Sequence, residues 1–248
     1  PERLGDVFAG DLDGDGIEDL VVGAKHDDDR GTDRGAVWVL FLDADNTVDS
    51  YQKISDTEGD FSGELDDNDG FGNAIAAPGD LDGDGVPDLV VGAREDDDGG
   101  RNHGAVWVLL LRRDGRVKGY QKISETHGGF AGELGEFDWF AESVAGPGDL
   151  DGDGNSDLLV GAPRDGGGAV WSLFVDVDNT VKRHSRISEA SGSFSGSVDA
   201  PDDFGTSLAA PGDLDDDGTA DLVVGAEGDG DGGTERGAVW LLFPDDWR

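Results

Sequence analysis

Cysteine and methionine are absent from this 248-residue chain, and only five of its residues are lysine. The lack of cysteine excludes disulfides and thiolate chemistry. It does not exclude secretion, because a bound metal can stabilise a small unit in place of a disulfide. Basic residues number 18 against 57 acidic ones, for a formal charge of -39. Such a polyanion is excluded from phosphate-directed nucleic-acid binding, which rests on Lys and Arg displacing counterions. Anionic membrane surfaces are disfavoured for the same reason. No window approaches 18 apolar residues, so no membrane insertion is expected. The chain opens on Pro1 with no signal-peptide pattern and reads as a mature or excised segment. What it has in quantity is glycine, 43 residues, and aspartate.

Those residues recur in register. An Asp-rich loop starts at Asp11, Asp80, Asp149 and Asp213, at spacings of 69, 69 and 64. An apolar run ending in Gly-Ala follows, over Leu20–Ala24, Leu89–Ala93, Leu158–Ala162 and Leu222–Ala226. Gly-Ala-Val-Trp then begins at Gly35, Gly104, Gly168 and Gly237. A basic-Ile-Ser element, at Ile54, Ile123 and Ile187, is followed 17 residues later by Phe71, Phe140 and Phe204. These anchors divide one repeat domain, 1–248, into units of about 1–55, 56–124, 125–188 and 189–248. The third unit has 6 residues from Gly-Ala to the next anchor where the others have 11, which accounts for its shorter spacing. Deletions concentrate in surface loops, so 25–34, 94–103, 163–167 and 227–236 are loops and their flanks are regular structure.

The flanking runs are four to eight residues long, rich in Val, Leu and Trp, and bounded by Gly and Asp, which predicts strands. In repeat 2 they fall at 73–78, 88–92, 104–111 and 119–124. Ala36–Leu42 is apolar at nearly every position and must be covered on both faces, as in stacked sheets. The expected fold is all-β, a β-propeller of four-stranded antiparallel blades, one per repeat. A β-solenoid would use shorter coils, and units of this size make poor independent sandwiches. Repeat 4 stops after its third strand, Ala238–Phe243, and Pro244–Arg248 offers little more. The last blade therefore lacks its outer strand, an open edge that invites another chain.

The Asp-rich loops read DLDGDGIED, DLDGDGVPD, DLDGDGNSD and DLDDDGTAD. Asp occupies positions 1, 3, 5 and 9 in each: Asp11, Asp13, Asp15 and Asp19; Asp80, Asp82, Asp84 and Asp88; Asp149, Asp151, Asp153 and Asp157; Asp213, Asp215, Asp217 and Asp221. Four carboxylates this close repel strongly without a cation. Calcium takes six to eight oxygens, and alternate residues of a tight loop aim at one centre. Gly16, Gly85, Gly154 and Gly218 at position 6 suit the turn. Beyond it, the carbonyls of Ile17, Val86, Asn155 and Thr219 at position 7 can point inward, which leaves their side chains free to vary. Four Ca2+ sites, one per repeat, are the expectation. An EF-hand needs Glu at position 12, where this chain has Val22, Val91, Val160 and Val224. Zinc lacks His and Cys ligands here, and magnesium prefers fewer protein ligands.

These motifs resemble the FG-GAP repeats of the integrin α-subunit propeller. Phe71-Gly72 and Phe204-Gly205 match the FG, Phe140-Ala141 departs by one methyl, and repeat 1 has only Leu4-Gly5 nearby. The GAP is literal at Gly161-Ala162-Pro163 and partial at Gly23-Ala24, Gly92-Ala93 and Gly225-Ala226. The resemblance implies the same calcium ligands, at positions 1, 3, 5, 7 and 9, and propellers that usually have seven blades. Loop 4 departs from the pattern with Asp216 in place of the position-4 Gly.

Strand parity puts the metal loops on one face with the turns after strand 3. The opposite face carries the 2–3 loops, with Asp27–Asp29 and Asp96–Asp98, and the long loops 56–70, 125–139 and 189–203. There Trp139 is the candidate for stacking on a sugar, whereas Trp38, Trp107, Trp171 and Trp240 read as inter-blade core. His26 and His103 lie on 2–3 loops. No ordered carboxylate pair or Ser–His–Asp set remains once the metal loops are assigned, so no catalytic residues are expected. The reading is a non-enzymatic, calcium-binding scaffold, extracellular or at the cell surface, that binds a protein or polysaccharide ligand. The alternatives are an integrin-like propeller lectin, and a structural subunit that binds further copies of itself through the open edge.

Overall fold

The computed structural model describes residues 6–189, 191, 197–198, 202–230, 233 and 236–243. Leu4-Gly5 and Pro244–Arg248 lie outside the described residues. The first sheet holds β1 (Asp6–Gly10), β2 (Asp19–Ala24), β3 (Ala36–Leu42) and β4 (Val48–Ile54). The second holds β5 (Ile75–Gly79), β6 (Asp88–Ala93), β7 (Ala105–Leu111) and β8 (Val117–Ile123). The third holds β9 (Ser143–Gly148), β10 (Asp157–Ala162), β11 (Ala169–Val175) and β12 (Val181–Ile187). The fourth holds β13 (Phe204–Gly212), β14 (Asp221–Ala226) and β15 (Ala238–Leu242). Strands lie in chain order within each sheet, and neighbours are antiparallel. The strands expected in repeat 2 fall within two residues of β5–β8. These are blades of a β-propeller, and among the described residues the last has three strands.

The blades stack in sequence through their first strands, β1 on β5, β5 on β9 and β9 on β13. Side chains alternate across a strand, so each middle blade packs on two neighbours at once. In β7, Trp107 and Leu109 join Val37, Val39 and Phe41 of the first blade in one core cluster. The alternate residues Val106 and Val108 join Val160, Trp171 and Leu173 of the third blade. Val170 and Phe174 continue the pattern against Leu222 and Val224 of the fourth. This double duty is why the strand-3 runs are apolar at successive positions.

The Phe-Gly elements lock one blade to the one before it. Phe71, Phe140 and Phe204 are fully buried. Phe71 forms a parallel bridge with Gly35, and Phe204 with Gly168, each glycine belonging to the preceding blade. A Cβ added at Gly35 would lie 2.0 Å from the Phe71 carbonyl oxygen, and one at Gly104 would lie 2.0 Å from that of Phe140. The backbones approach too closely for any side chain. Ala141, standing where the other repeats have Gly72 and Gly205, is held at φ 72°, a left-handed conformation that suits glycine.

Candidate functional site

The four Asp-rich loops join β1 to β2, β5 to β6, β9 to β10 and β13 to β14, and so share one side of the stack. Each is wound around its own carboxylates. Asp11 accepts the amide N–H groups of Gly14 at 2.7 Å and Gly16 at 2.9 Å. Asp80 and Asp149 repeat this, with Gly83 and Gly85 at 2.8 Å, and with Gly152 at 2.7 Å and Gly154 at 2.8 Å. Asp15, Asp84, Asp153 and Asp217 accept the N–H of Ile17, Val86, Asn155 and Thr219 at 2.7–2.9 Å. A carboxylate has about four lone-pair sites, so these bonds fix its direction and leave oxygen lone pairs for a central ion.

Position 9 differs from the rest. Asp19, Asp88 and Asp157 are fully buried, and Asp221 is nearly so. Asp88 accepts the N–H of Leu81 at the loop's start and of Leu111 at the end of β7, both at 2.8 Å. Asp19 does the same with Leu12 at 2.9 Å and Leu42 at 3.0 Å, and Asp157 with Leu150 at 2.8 Å and Val175 at 3.0 Å. Each ties its loop to two strands. Burial pushes the Asp88 and Asp157 carboxyls up to about 6 against the pull of those amides, and the position-3 carboxylates Asp82 and Asp151 add to the rise. Burial also raises Asp19. A cation beside them would reverse this.

Carboxylate oxygens converge to within 4.8 Å of one another in all four loops: Asp11, Asp13 and Asp15; Asp80, Asp82 and Asp88; Asp149, Asp151 and Asp157; Asp213, Asp215 and Asp221. The donor set is all oxygen, with no nitrogen or sulfur ligand, which suits a hard divalent cation. Gly16, Gly85, Gly154 and Gly218 take φ from 83° to 94° at the turn. Asp216 adopts φ 63° where Gly14, Gly83 and Gly152 take 79–86°.

On the opposite side the structure supplies contacts that sequence reasoning did not anticipate. Lys53 bridges Asp27 at 2.8 Å and Asp29 at 2.5 Å. Lys122 bridges Asp96 and Asp98, both at 2.7 Å. Each ammonium also lies over its blade's strand-3 indole, 5.5 Å from Trp38 and 5.2 Å from Trp107. In the third blade, where the 2–3 loop is short, Arg186 makes the equivalent pair with Asp165 at 2.6 Å. The acidic runs of the longer 2–3 loops therefore serve in part as intrablade ion pairs. The recurring basic residue before Ile-Ser was the available signal. The guanidinium of Arg164 lies 3.6 Å and that of Arg94 4.6 Å from the Trp139 ring centre. His26 pairs with Asp33 at 3.1 Å, and His103, in another blade, with Glu125 at 2.7 Å. A cleft of about 570 Å³ opens between the first blade's 2–3 loop and the following long loop, lined by Arg30, Arg34, Asp56, Glu64 and Asp66 among others.

Comparison with known proteins agrees with this geometry. The FG-GAP-like repeat model matches residues 80–160, and the FG-GAP repeat model matches 5–40 and 204–242. Integrin alpha-IIb of Homo sapiens is 31% identical over 233 residues, covering 90% of this chain and 20% of the relative. Integrin alpha-V of Gallus gallus is 32% identical over 230 residues, with the same coverage. Integrin alpha-5 of Xenopus laevis is 34% identical over 163 residues, 64% of this chain and 15% of the relative. The chain thus spans a fifth or less of the length of these relatives.

Proposed function

The chain belongs to the FG-GAP repeat family, and from that membership we propose that it is a non-enzymatic, calcium-binding propeller scaffold that works outside the cell or at its surface. Its four loops hold one Ca2+ each through the Asp side chains of positions 1, 3, 5 and 9 and the carbonyl of position 7. The opposite face presents the long loops to a protein or polysaccharide ligand. The observation that carries the calcium reading is the convergence of three carboxylates in every loop, with the buried position-9 Asp among them in loops 2, 3 and 4. The separation of the long loops and their cleft from the metal side supports the ligand face. Similarity to integrin alpha chains supports the adhesive role and the extracellular setting.

Calcium binds only the folded arrangement, so removing it lowers stability. Extracellular modules bind calcium at about 10⁻⁴–10⁻³ M. At ~10 mM calcium each site then contributes roughly 1.4–2.7 kcal/mol. Melting followed by circular dichroism should show a Tm on the order of 10 °C lower in excess EDTA. Superimposable melting curves would sink the calcium reading.

A second reading, assembly with further copies, is favoured by the outer strand β15, where Val239 is 73% exposed and Leu241 48%, with Phe243 just beyond it at 47%. Light scattering across a concentration series tests it, and a constant monomer mass refutes it. A glycan array tests the lectin reading, which a binding glycan would establish and an empty array would end.

A further inference from the structure

The four loops have the same Asp pattern but different electrostatic surroundings. In the second blade Lys118, the second residue of β8, reaches its own blade's loop. Its ammonium bridges Asp82 at 2.8 Å and also bonds Asp84, positions 3 and 5 of loop 2. In the third blade Lys182, the second residue of β12, bridges Asp151 at 3.1 Å and also bonds Asp153, positions 3 and 5 of loop 3. Arg183 lies 3.8 Å from Asp151 as well. The first blade has Asp49 at the matching position of β4. Among the described residues no Lys or Arg makes an ion pair with a carboxylate of loop 1 or loop 4. Arg113 reaches loop 1 but donates to the Asp13 backbone carbonyl, at 3.3 Å. Loop 4 carries an additional acid, Asp216.

We propose that Lys118 and Lys182 are built-in counter-ions that make loops 2 and 3 weaker metal sites than loop 1. The inference rests on the calcium reading of the loops. An ammonium between two ligand carboxylates neutralises part of the charge that attracts the cation. It must be displaced, or tolerated at close range, when the metal enters. Either route costs binding energy that loop 1 does not spend. The same lysines relieve carboxylate repulsion in the metal-free protein. Loops 2 and 3, in the two middle blades, therefore hold their shape at low calcium, while loop 1 depends on the ion. Occupancy then rises in two steps with calcium concentration.

Calorimetric titration of the metal-stripped full chain with calcium tests this. About 0.15 M salt suppresses diffuse counterion binding to the polyanion, because the Debye length falls to about 8 Å. The wild type should bind in separable classes, the weaker one taking up the two ions of loops 2 and 3. K118Q/K182Q should keep four sites and raise the affinity of the weaker class by on the order of tenfold. D82N/D151N should remove the weaker class alone, which assigns it to loops 2 and 3. Circular dichroism of each variant confirms folding. A single class of four equal sites in the wild type, or an unchanged weaker class in K118Q/K182Q, overturns the proposal while leaving calcium binding intact. No saturable calcium binding by any version overturns the calcium reading and the proposal with it.

Discussion

Aspartate 9 of each loop does two jobs with one side chain. In loop 2 the oxygens of Asp88 accept one amide at the loop's start and one at the end of β7, and one of them lies within 4.8 Å of carboxylate oxygens of Asp80 and Asp82. An amide in its place offers one acceptor where two are used. Asp88→Asn therefore strands one buried N–H and should cost about 1–3 kcal/mol even in EDTA. In calcium the loss should be larger, because a ligand also goes. Urea melts in the two conditions measure both, and equal losses would mean that Asp88 has no part in metal binding. Asp69, in the long loop before Phe71, tests burial without metal. It is buried, and its carboxyl is pushed up to about 7, first by burial and then by the Asp96 carboxylate. The folded state thus holds its proton more tightly than the unfolded state, whose value is 3.8. The stability this contributes is fully present below about pH 4 and is lost as pH rises towards 7. Asp69→Asn, neutral throughout, should flatten that decline relative to the wild type. An unchanged pH profile would refute the assignment.

At the scale of the element, the Phe-Gly wedge is the unit that joins blades. Phe140 is fully buried in the cluster between the second and third blades, and Phe140→Ala should cost about 3–5 kcal/mol. Ala141→Gly removes the penalty of a left-handed alanine and should stabilise by about 1 kcal/mol. Both are read from denaturant midpoints. A destabilising Ala141→Gly would show that the alanine methyl packs to advantage there. The strands were legible in the sequence because alternate residues serve two interfaces, which writes long apolar runs between Gly and Asp punctuation. The Asp loops were legible because all their ligands sit within nine residues. The ion pairs were not. Lys118 meets Asp82 and Asp84 from more than 30 residues away, and Lys53 meets Asp27 and Asp29 across an intervening strand. Such contacts depend on how strand 4 folds back beside strand 3. The close approach of Gly35 to Phe71 was equally hidden, although the recurrence of both residues was plain.

Across the whole molecule one arrangement is used again and again. Each of the two middle blades sends its Trp face backward and its Val face forward, each metal loop sits on one side, and each basic-Ile-Ser pair sits on the other. A charge of -39 opposes compaction, and eighteen of the acids responsible lie in the four loops. Cations bound there as proposed would offset the most concentrated part of that charge. A crystal structure of the protein grown in calcium tests this most directly. It should show four ions, each about 2.3–2.6 Å from oxygens of Asp 1, 3, 5 and 9 and from the carbonyl of position 7. Loops that keep their hydrogen bonds but hold no ion at millimolar calcium would contradict the account.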